Sequence, residues 1–354
     1  MTGDSDPTQR EDAQSTEQQT FALNRRTLLQ STLAGGAILG GVGLATAVAR
    51  DGQSDEKLSG GSNDRSDAFP PSGVTEYGRK ITLGNGEVRT FTSETPSGEP
   101  EYHGVEFDRT ALEGLPSETA ISGIDNPVET DKYRLSGQAA TIHFKQSLQF
   151  FVPFPDAAGT PFTFLGLNWN PDGHFGAKGA WEKPHFDIHF HMRDPATVDA
   201  VEGPRLPPYD IKTADGIETN FDFAQLPEGY ARPPPPVADE RYITDMGEHV
   251  APSDAPELPN DPDGQGDPAN FGNTLIQGFI GDTEGSQLAF VEPMLTREFL
   301  ADFQGRKTYN IPQPDEYPHD QQHPHEYSVR DIPSRNKIVV AIQSFEQVAD
   351  GNYG

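Results

Sequence analysis

The segment 183–192 constrains the fold of this chain more than any other. It reads Lys-Pro-His-Phe-Asp-Ile-His-Phe-His-Met, an alternation of polar and apolar side chains. Because successive side chains of a β-strand point to opposite faces, such a strand would bury one face and present the other as a polar row. The segment predicts a strand whose apolar face packs on a core and whose opposite face is formed by His185, Asp187, His189 and His191.

The rest of the chain also favours strands over helices. Gly and Pro account for 36 and 32 of the 354 residues, which disfavours long helices. Further β-branched or aromatic runs, mostly separated by Gly, Pro and Asp, lie at 88–93, 139–145, 148–154, 162–169, 274–280, 287–291 and 337–345. Helices are expected only near 110–115 and 295–303. We therefore expect a mainly β protein: a single antiparallel β-sandwich or barrel-like domain with one or two short helices.

The first 49 residues are interpreted as a twin-arginine signal peptide. Arg25 and Arg26 precede a glycine-rich apolar stretch at 28–48, and Ala47 and Ala49 form a small-residue cleavage site. The alternative is a retained membrane anchor, which the weak hydrophobicity of this stretch disfavours. Residues 50–73 are predicted to be a disordered linker and 74–350 the β-rich domain. A secreted protein, free of the membrane after cleavage, is expected.

The charge balance limits the partners. The chain has 55 acidic and 26 basic residues and a formal net charge of −29, which argues against nucleic acid and anionic membrane surfaces as partners. The acidic residues are dispersed, as in proteins adapted to concentrated salt, where ions screen self-repulsion. A cation-collecting surface is the alternative interpretation. Cys is absent from the sequence, so disulfides and thiolate metal ligands are excluded.

The polar face of the predicted strand points to a metal site. Burying three imidazoles on one face is costly without a shared partner, and a divalent cation can be that partner. Neutral imidazoles suit Zn²⁺, Fe²⁺, Cu²⁺ or Ni²⁺. The predicted ligands are His185, His189, His249 and Glu292, with His174 and His191 as reserves and Asp187 orienting an imidazole. The alternative is a polar strand face that water simply solvates.

A second group of histidines lies near the C-terminus. Residues 319–325 read His-Asp-Gln-Gln-His-Pro-His and could bind a transition metal weakly at the surface. Their Pro and Gln content favours a plain loop instead.

Four short motifs together resemble a known family. They are Asn-Pro-Asp-Gly-His at 170–174, Pro-His-Phe-Asp-Ile-His-Phe at 184–190, Met-Gly-Glu-His at 246–249 and Phe-Val-Glu-Pro-Met-Leu-Thr at 290–296. Their order and spacing over about residues 102–345 resemble a family of secreted bacterial and archaeal proteins of unknown function, named after a member from Thermus thermophilus. The chain departs from that pattern at His191 and Val250. The resemblance implies a β-rich single domain and no established activity.

Two classes of function fit these observations. In the first, the chain is a metal-dependent enzyme, in which an open coordination position activates water or binds a small substrate. In the second, it is a non-enzymatic extracytoplasmic binding or stress protein, with a structural metal or a metal-free polar cluster. A small-molecule ligand and a homo-oligomer are compatible with both.

Overall fold

The computed structural model describes residues 68–122, 141–143, 147–155, 159–174, 177–203, 210–213, 216–219, 226–232, 242–259, 264–282, 285–314 and 316–349. All of them belong to the unit Ser62–Gly354. The predicted signal peptide, and the predicted linker up to residue 67, lie outside the described residues. No helix in the described ranges is long and apolar enough to cross a membrane.

Strands dominate the described residues. They are β1 (Thr75–Leu83), β2 (Gly86–Glu94), β3 (Pro100–Asp108), β4 (Thr141–His143), β5 (Ser147–Pro153), β6 (Phe164–Asn170), β7 (His185–His191), β8 (Asp210–Thr213), β9 (Gly216–Thr219), β10 (Tyr230–Ala231), β11 (Tyr242–Ile243), β12 (Gly247–Pro252), β13 (Asn273–Asp282), β14 (Gly285–Thr296), β15 (Arg306–Asn310), β16 (Gln322–Ile332) and β17 (Lys337–Gln347). The α-helices are short: α1 (Glu118–Ser122), α2 (Pro195–Asp199) and α3 (Arg297–Asp302).

The strands form two large antiparallel sheets. The six-stranded sheet has the order β1-β2-β3-β17-β16-β15. The nine-stranded sheet has the order β10-β12-β13-β14-β7-β6-β5-β4, with β11 paired to β12. A separate hairpin joins β8 and β9. This architecture confirms the predicted mainly β, sandwich-like domain with few short helices.

The main core lies between the two large sheets. Alternate residues of β7, namely Phe186, Ile188 and Phe190, are fully buried and belong to one apolar cluster with Val105 and Phe107 of the six-stranded sheet. Burying side chains of this size contributes about 1.5–3 kcal/mol each, so the sheet interface supplies much of the driving force for folding. The apolar half of the predicted alternation therefore faces the core as expected.

The opposite face of the nine-stranded sheet is also covered. A second apolar cluster there combines Phe290 and Met294 of β14 with loop residues such as Trp181, Leu258 and Phe271. The polar half of β7 shares this face, because its residues alternate with those in the main core. All seven residues of β7 are buried, so the histidines lie beneath loops and are not solvated on an open sheet.

Two details differ from the sequence-based expectations. Phe69, inside the predicted linker, is buried beside Phe91 and Val339, so packing begins before the predicted boundary at residue 74. The plain loop predicted at 319–325 is wrong from Gln322 onward, because those residues begin β16 and pair with β17. His323 is fully buried there, since the strand places its ring against Phe162 and Tyr317.

Candidate metal centre

Two groups of potential metal ligands lie on the covered face of the nine-stranded sheet. In the described part of the chain, each has three members whose ligand atoms lie within 4.8 Å of one another. The Glu292 triad consists of His189, His249 and Glu292. The Asp187 triad consists of His174, His185 and Asp187.

Strand register assembles the Glu292 triad. Phe290 pairs with His191 and Met294 with Asp187, so the antiparallel register between β14 and β7 places Glu292 opposite His189. His249 lies on β12 and pairs with Gly278 of β13, the strand between β12 and β14. Residues more than 40 positions apart along the chain thus meet on one face.

The two imidazoles of the Glu292 triad converge on one carboxylate. Nε2 of His189 lies 3.4 Å from Oε1 of Glu292, and Nε2 of His249 lies 3.6 Å from Oε2 of the same residue. Both distances are long for a hydrogen bond. Two ligands of a tetrahedral Zn²⁺ ion are separated by about 3.3 Å, given metal–ligand bonds of roughly 2.0 Å. The spacing therefore fits a shared cation better than direct hydrogen bonding.

The backbone fixes which ring nitrogens are available. Nδ1 of His189 donates to the Gly166 carbonyl at 3.2 Å, and Nδ1 of His249 donates to the Gly247 carbonyl at 3.2 Å. A neutral imidazole that donates through Nδ1 keeps a lone pair on Nε2. Metal-binding histidines are typically oriented by such bonds from the other ring nitrogen. Both lone pairs consequently point toward Glu292.

Burial disfavours the charged forms of all three groups in this triad. It lowers the pKa of His189 to about 4 and that of His249 to about 3. Burial, and then the charge of Asp187, raise the pKa of Glu292 well above its ordinary value. A single proton on Glu292 could bridge to only one of the two imidazole lone pairs, whereas one cation would satisfy all three groups.

The Asp187 triad has a similar arrangement. Nδ1 of His185 donates to the Lys183 carbonyl at 2.6 Å, which leaves Nε2 facing Oδ1 of Asp187 at 3.0 Å. Nε2 of His174 lies 3.8 Å from Oδ2 of Asp187, and the Asn170 amide donates to that oxygen at 2.8 Å. Burial opposes ionisation of Asp187, but the neighbouring imidazoles, led by His185, hold its pKa below the ordinary value.

His191 belongs to neither triad. Its ring stacks on Phe164 at a centroid distance of 4.4 Å and contacts Phe290 edge to face at 5.2 Å. Burial lowers its pKa well below the ordinary value, so the ring is neutral. Its contacts are those of an aromatic packing residue.

The predicted ligands are thus divided between two groups. The structure brings His189, His249 and Glu292 together, and it places His185 with His174 and Asp187. Asn168, opposite Asp187 on β6, was not among the predicted site residues, yet both polar atoms of its buried amide have no hydrogen-bond partner in the described part of the chain. The alternation of Asn168 and Asn170 with the apolar Leu167 and Trp169 is the sequence signal for this second polar row.

No protein-family model, curated protein or solved structure matches this chain. The arrangement of histidines and carboxylates therefore stands on its own geometry as a group that could bind a metal ion.

Proposed function

We propose that this chain is an exported, salt-adapted, metal-dependent enzyme that acts on a small substrate at the Glu292 triad. One observation supports it above all: in the described residues the triad offers three ligands to a cation, not four. Two histidines and one glutamate are the ligand set of several catalytic zinc sites, in which the remaining position takes water or substrate. Zn²⁺ is the metal we favour over Fe²⁺, Cu²⁺ and Ni²⁺, because the long separations suit a tetrahedral ion.

Access to the triad limits the size of a substrate. The side chains of His189 and Glu292 are each 1% exposed, while that of His249 is 16% exposed. A substrate would approach past His249, and only a small molecule would fit beneath the loops. A bound cation would polarise a substrate oxygen or lower the pKa of water. Residues of the chain would hold the cation and exclude bulk water.

The second candidate is a non-enzymatic extracytoplasmic protein with a structural ion. The near-complete burial of Glu292 and His189 favours it, because structural sites are typically closed. Export through the twin-arginine pathway, proposed from Arg25 and Arg26, is compatible with either function. So is membership of the secreted family that the sequence motifs resemble.

Metal analysis of the full chain tests both candidates. The protein would be purified in high salt without a His tag, and its metal content compared with that of the His249→Ala variant. We expect the variant to lose one equivalent, and His325→Ala, in a partly exposed residue outside both triads, to lose none. Retention of all metal by His249→Ala would overturn the proposed site.

An open position is tested by cobalt substitution. Azide added to the Co²⁺ protein would change its visible spectrum if a coordination position is accessible, and the change belongs to the Glu292 triad if His249→Ala lacks it. An unchanged spectrum would indicate a closed shell and favour the structural ion. Hydrolytic activity on small esters and phosphoesters would be measured only if azide changes the spectrum.

A further inference from the structure

We infer that the Asp187 triad is a second, separate cation site, which clamps the loop carrying His174 onto the nine-stranded sheet. The inference does not depend on the enzymatic proposal, because the two triads share no ligand. His185 and His189 are four residues apart on one strand, so their Cα atoms are separated by roughly 13 Å. One ion cannot bind both side chains in the arrangement observed.

The pairing of His185 with Asp187 requires a positive charge between the two groups. Nδ1 of His185 is occupied as a donor to the Lys183 carbonyl, so Nε2 is the nitrogen that faces the carboxylate, and without a proton or a metal ion on it this atom is a second acceptor. Nε2 of His185 and Oδ1 of Asp187 are buried, and neither atom makes a hydrogen bond of acceptable geometry to another described residue. Two acceptors at 3.0 Å repel each other unless a proton or a metal ion lies between them.

A third ligand favours the metal over the proton. His174 directs Nε2 toward the other oxygen of Asp187, at 3.8 Å, and its ring lies 4.7 Å from that of His185. A proton shared by His185 and Asp187 gives no reason for a second imidazole at this distance. A borderline divalent cation such as Zn²⁺ would use both imidazoles and the carboxylate. Asn170 already orients that carboxylate through a 2.8 Å hydrogen bond, as an outer-shell partner would.

The location of His174 indicates what the ion would do. His174 lies in the connection between β6 and β7. Later residues of this connection, Ala177, Ala180 and Trp181, belong to the apolar cluster on the covered face of the sheet. Trp181 contacts the ring of His174 at 5.7 Å. A cation held by His174 and by two β7 side chains would join this connection to the strand beneath it. We therefore assign it a structural role, in contrast to the Glu292 triad.

Zinc titration of the metal-free full chain tests this inference. We expect about two equivalents in the unmodified protein. His174→Ala and His249→Ala should each bind one equivalent, at different sites, and the double variant none. His325→Ala should bind two. His174 has 28% of its side chain exposed, so we expect the variant to keep the two sheets, which circular dichroism would verify.

Trypsin cleavage after Lys178 is the second measurement, because this residue lies in the clamped connection. Removing metal should accelerate the cleavage roughly fivefold or more in the unmodified protein and in His249→Ala. His174→Ala should be cleaved fast with or without zinc.

The outcomes separate the two proposals. One equivalent of zinc in the unmodified protein, retained by His174→Ala and lost by His249→Ala, would overturn the clamp and leave the Glu292 site. One equivalent that is lost by His174→Ala and retained by His249→Ala would overturn the Glu292 site and leave the clamp. Chelator-insensitive cleavage at Lys178 would also contradict the clamp.

Discussion

The ring of Phe290 lies over Gly278, in the space that a β-carbon on that glycine would occupy. The two residues pair across β13 and β14. The same ring contacts the rings of His189, His191 and His249 at centroid distances of 4.9, 5.2 and 5.1 Å. A residue without a side chain on β13 thus lets one aromatic ring hold three histidines in place.

Replacing Gly278 with alanine should therefore damage both stability and metal binding. The added methyl group would displace the Phe290 ring, and overpacking of this kind costs about 1–3 kcal/mol of unfolding free energy. Chemical denaturation and zinc titration would measure the two effects. Gly272→Ala is the matched control, because a β-carbon there meets nothing within 4 Å and its φ is not in the left-handed region. Equal stability of both variants would contradict the packing role of Phe290.

Glu292→Gln should abolish the anionic ligand while preserving its shape. The amide offers only a neutral oxygen to the cation, so we expect zinc affinity at the Glu292 triad to fall by about 100-fold or more. The metal-free variant should be at least as stable as the metal-free parent, because it no longer buries an ionisable group. Calorimetric titration would show the affinity change. Glu346→Gln, at a side chain that is 69% exposed, should bind like the parent, and an equal loss there would refute a specific site.

His191→Phe should leave metal binding intact. The imidazole stacks on Phe164, and its Nδ1 is buried without a hydrogen-bond partner in the described residues, so a phenyl ring removes an unsatisfied polar atom. We expect unfolding free energy to change by less than about 1.5 kcal/mol, because the gain opposes mild overpacking. Zinc stoichiometry equal to that of the parent is the expected result. Loss of one equivalent would identify His191 as a ligand.

Acid should destabilise the protein through His103, which lies outside both triads. Its ring is fully buried, and burial lowers its pKa to about 3. Nδ1 lies 3.1 Å from the hydroxyl of Thr92, and Nε2 lies 2.9 Å from the hydroxyl of Thr160. In the unfolded chain this histidine binds a proton below about pH 6.5, whereas burial opposes protonation in the folded protein. The free energy of unfolding is therefore not reduced by this group above that pH. It decreases by up to roughly 1.4 kcal/mol per pH unit as the pH falls toward 3.

Denaturant unfolding at several pH values checks this prediction. His103→Gln should give a shallower loss of stability between about pH 6.5 and 3 than the parent, because the amide does not titrate. His325→Gln, at a partly exposed histidine, serves as the control and should follow the parent. Parallel curves for His103→Gln and the parent would show that His103 does not contribute to acid sensitivity.

Salt should stabilise the protein through its net charge of −29. Raising KCl from about 0.2 M to about 2 M shortens the screening length to a few ångströms, which weakens repulsion among dispersed carboxylates. We expect the melting temperature to rise by about 5 °C or more, since each kcal/mol corresponds to a few degrees at this size. Sucrose at matched osmolality, which does not screen charge, should raise it less. An equal rise in sucrose would argue against self-repulsion.

The local sequence pattern was enough to predict that the protein is mainly β and which residues lie on each face of β7. Phe186, Ile188 and Phe190 lie in the core, and His185, Asp187 and His189 lie on the opposite face, because side-chain direction in a strand depends only on the two-residue period. The strand containing His323 was not predicted, since Pro324 and the neighbouring glutamines are typical of loops and only pairing with β17 makes the segment a strand.

The grouping of the ligands could not be predicted in this way. The sequence determined that imidazoles and carboxylates would line one strand face, and that Glu292 and His249 were available from distant segments. Only the tertiary structure decided that His189 meets Glu292 and His249 while His185 meets His174 and Asp187. The physical reason is that strand order and register, which depend on packing of the whole sheet, determine which distant side chains become neighbours.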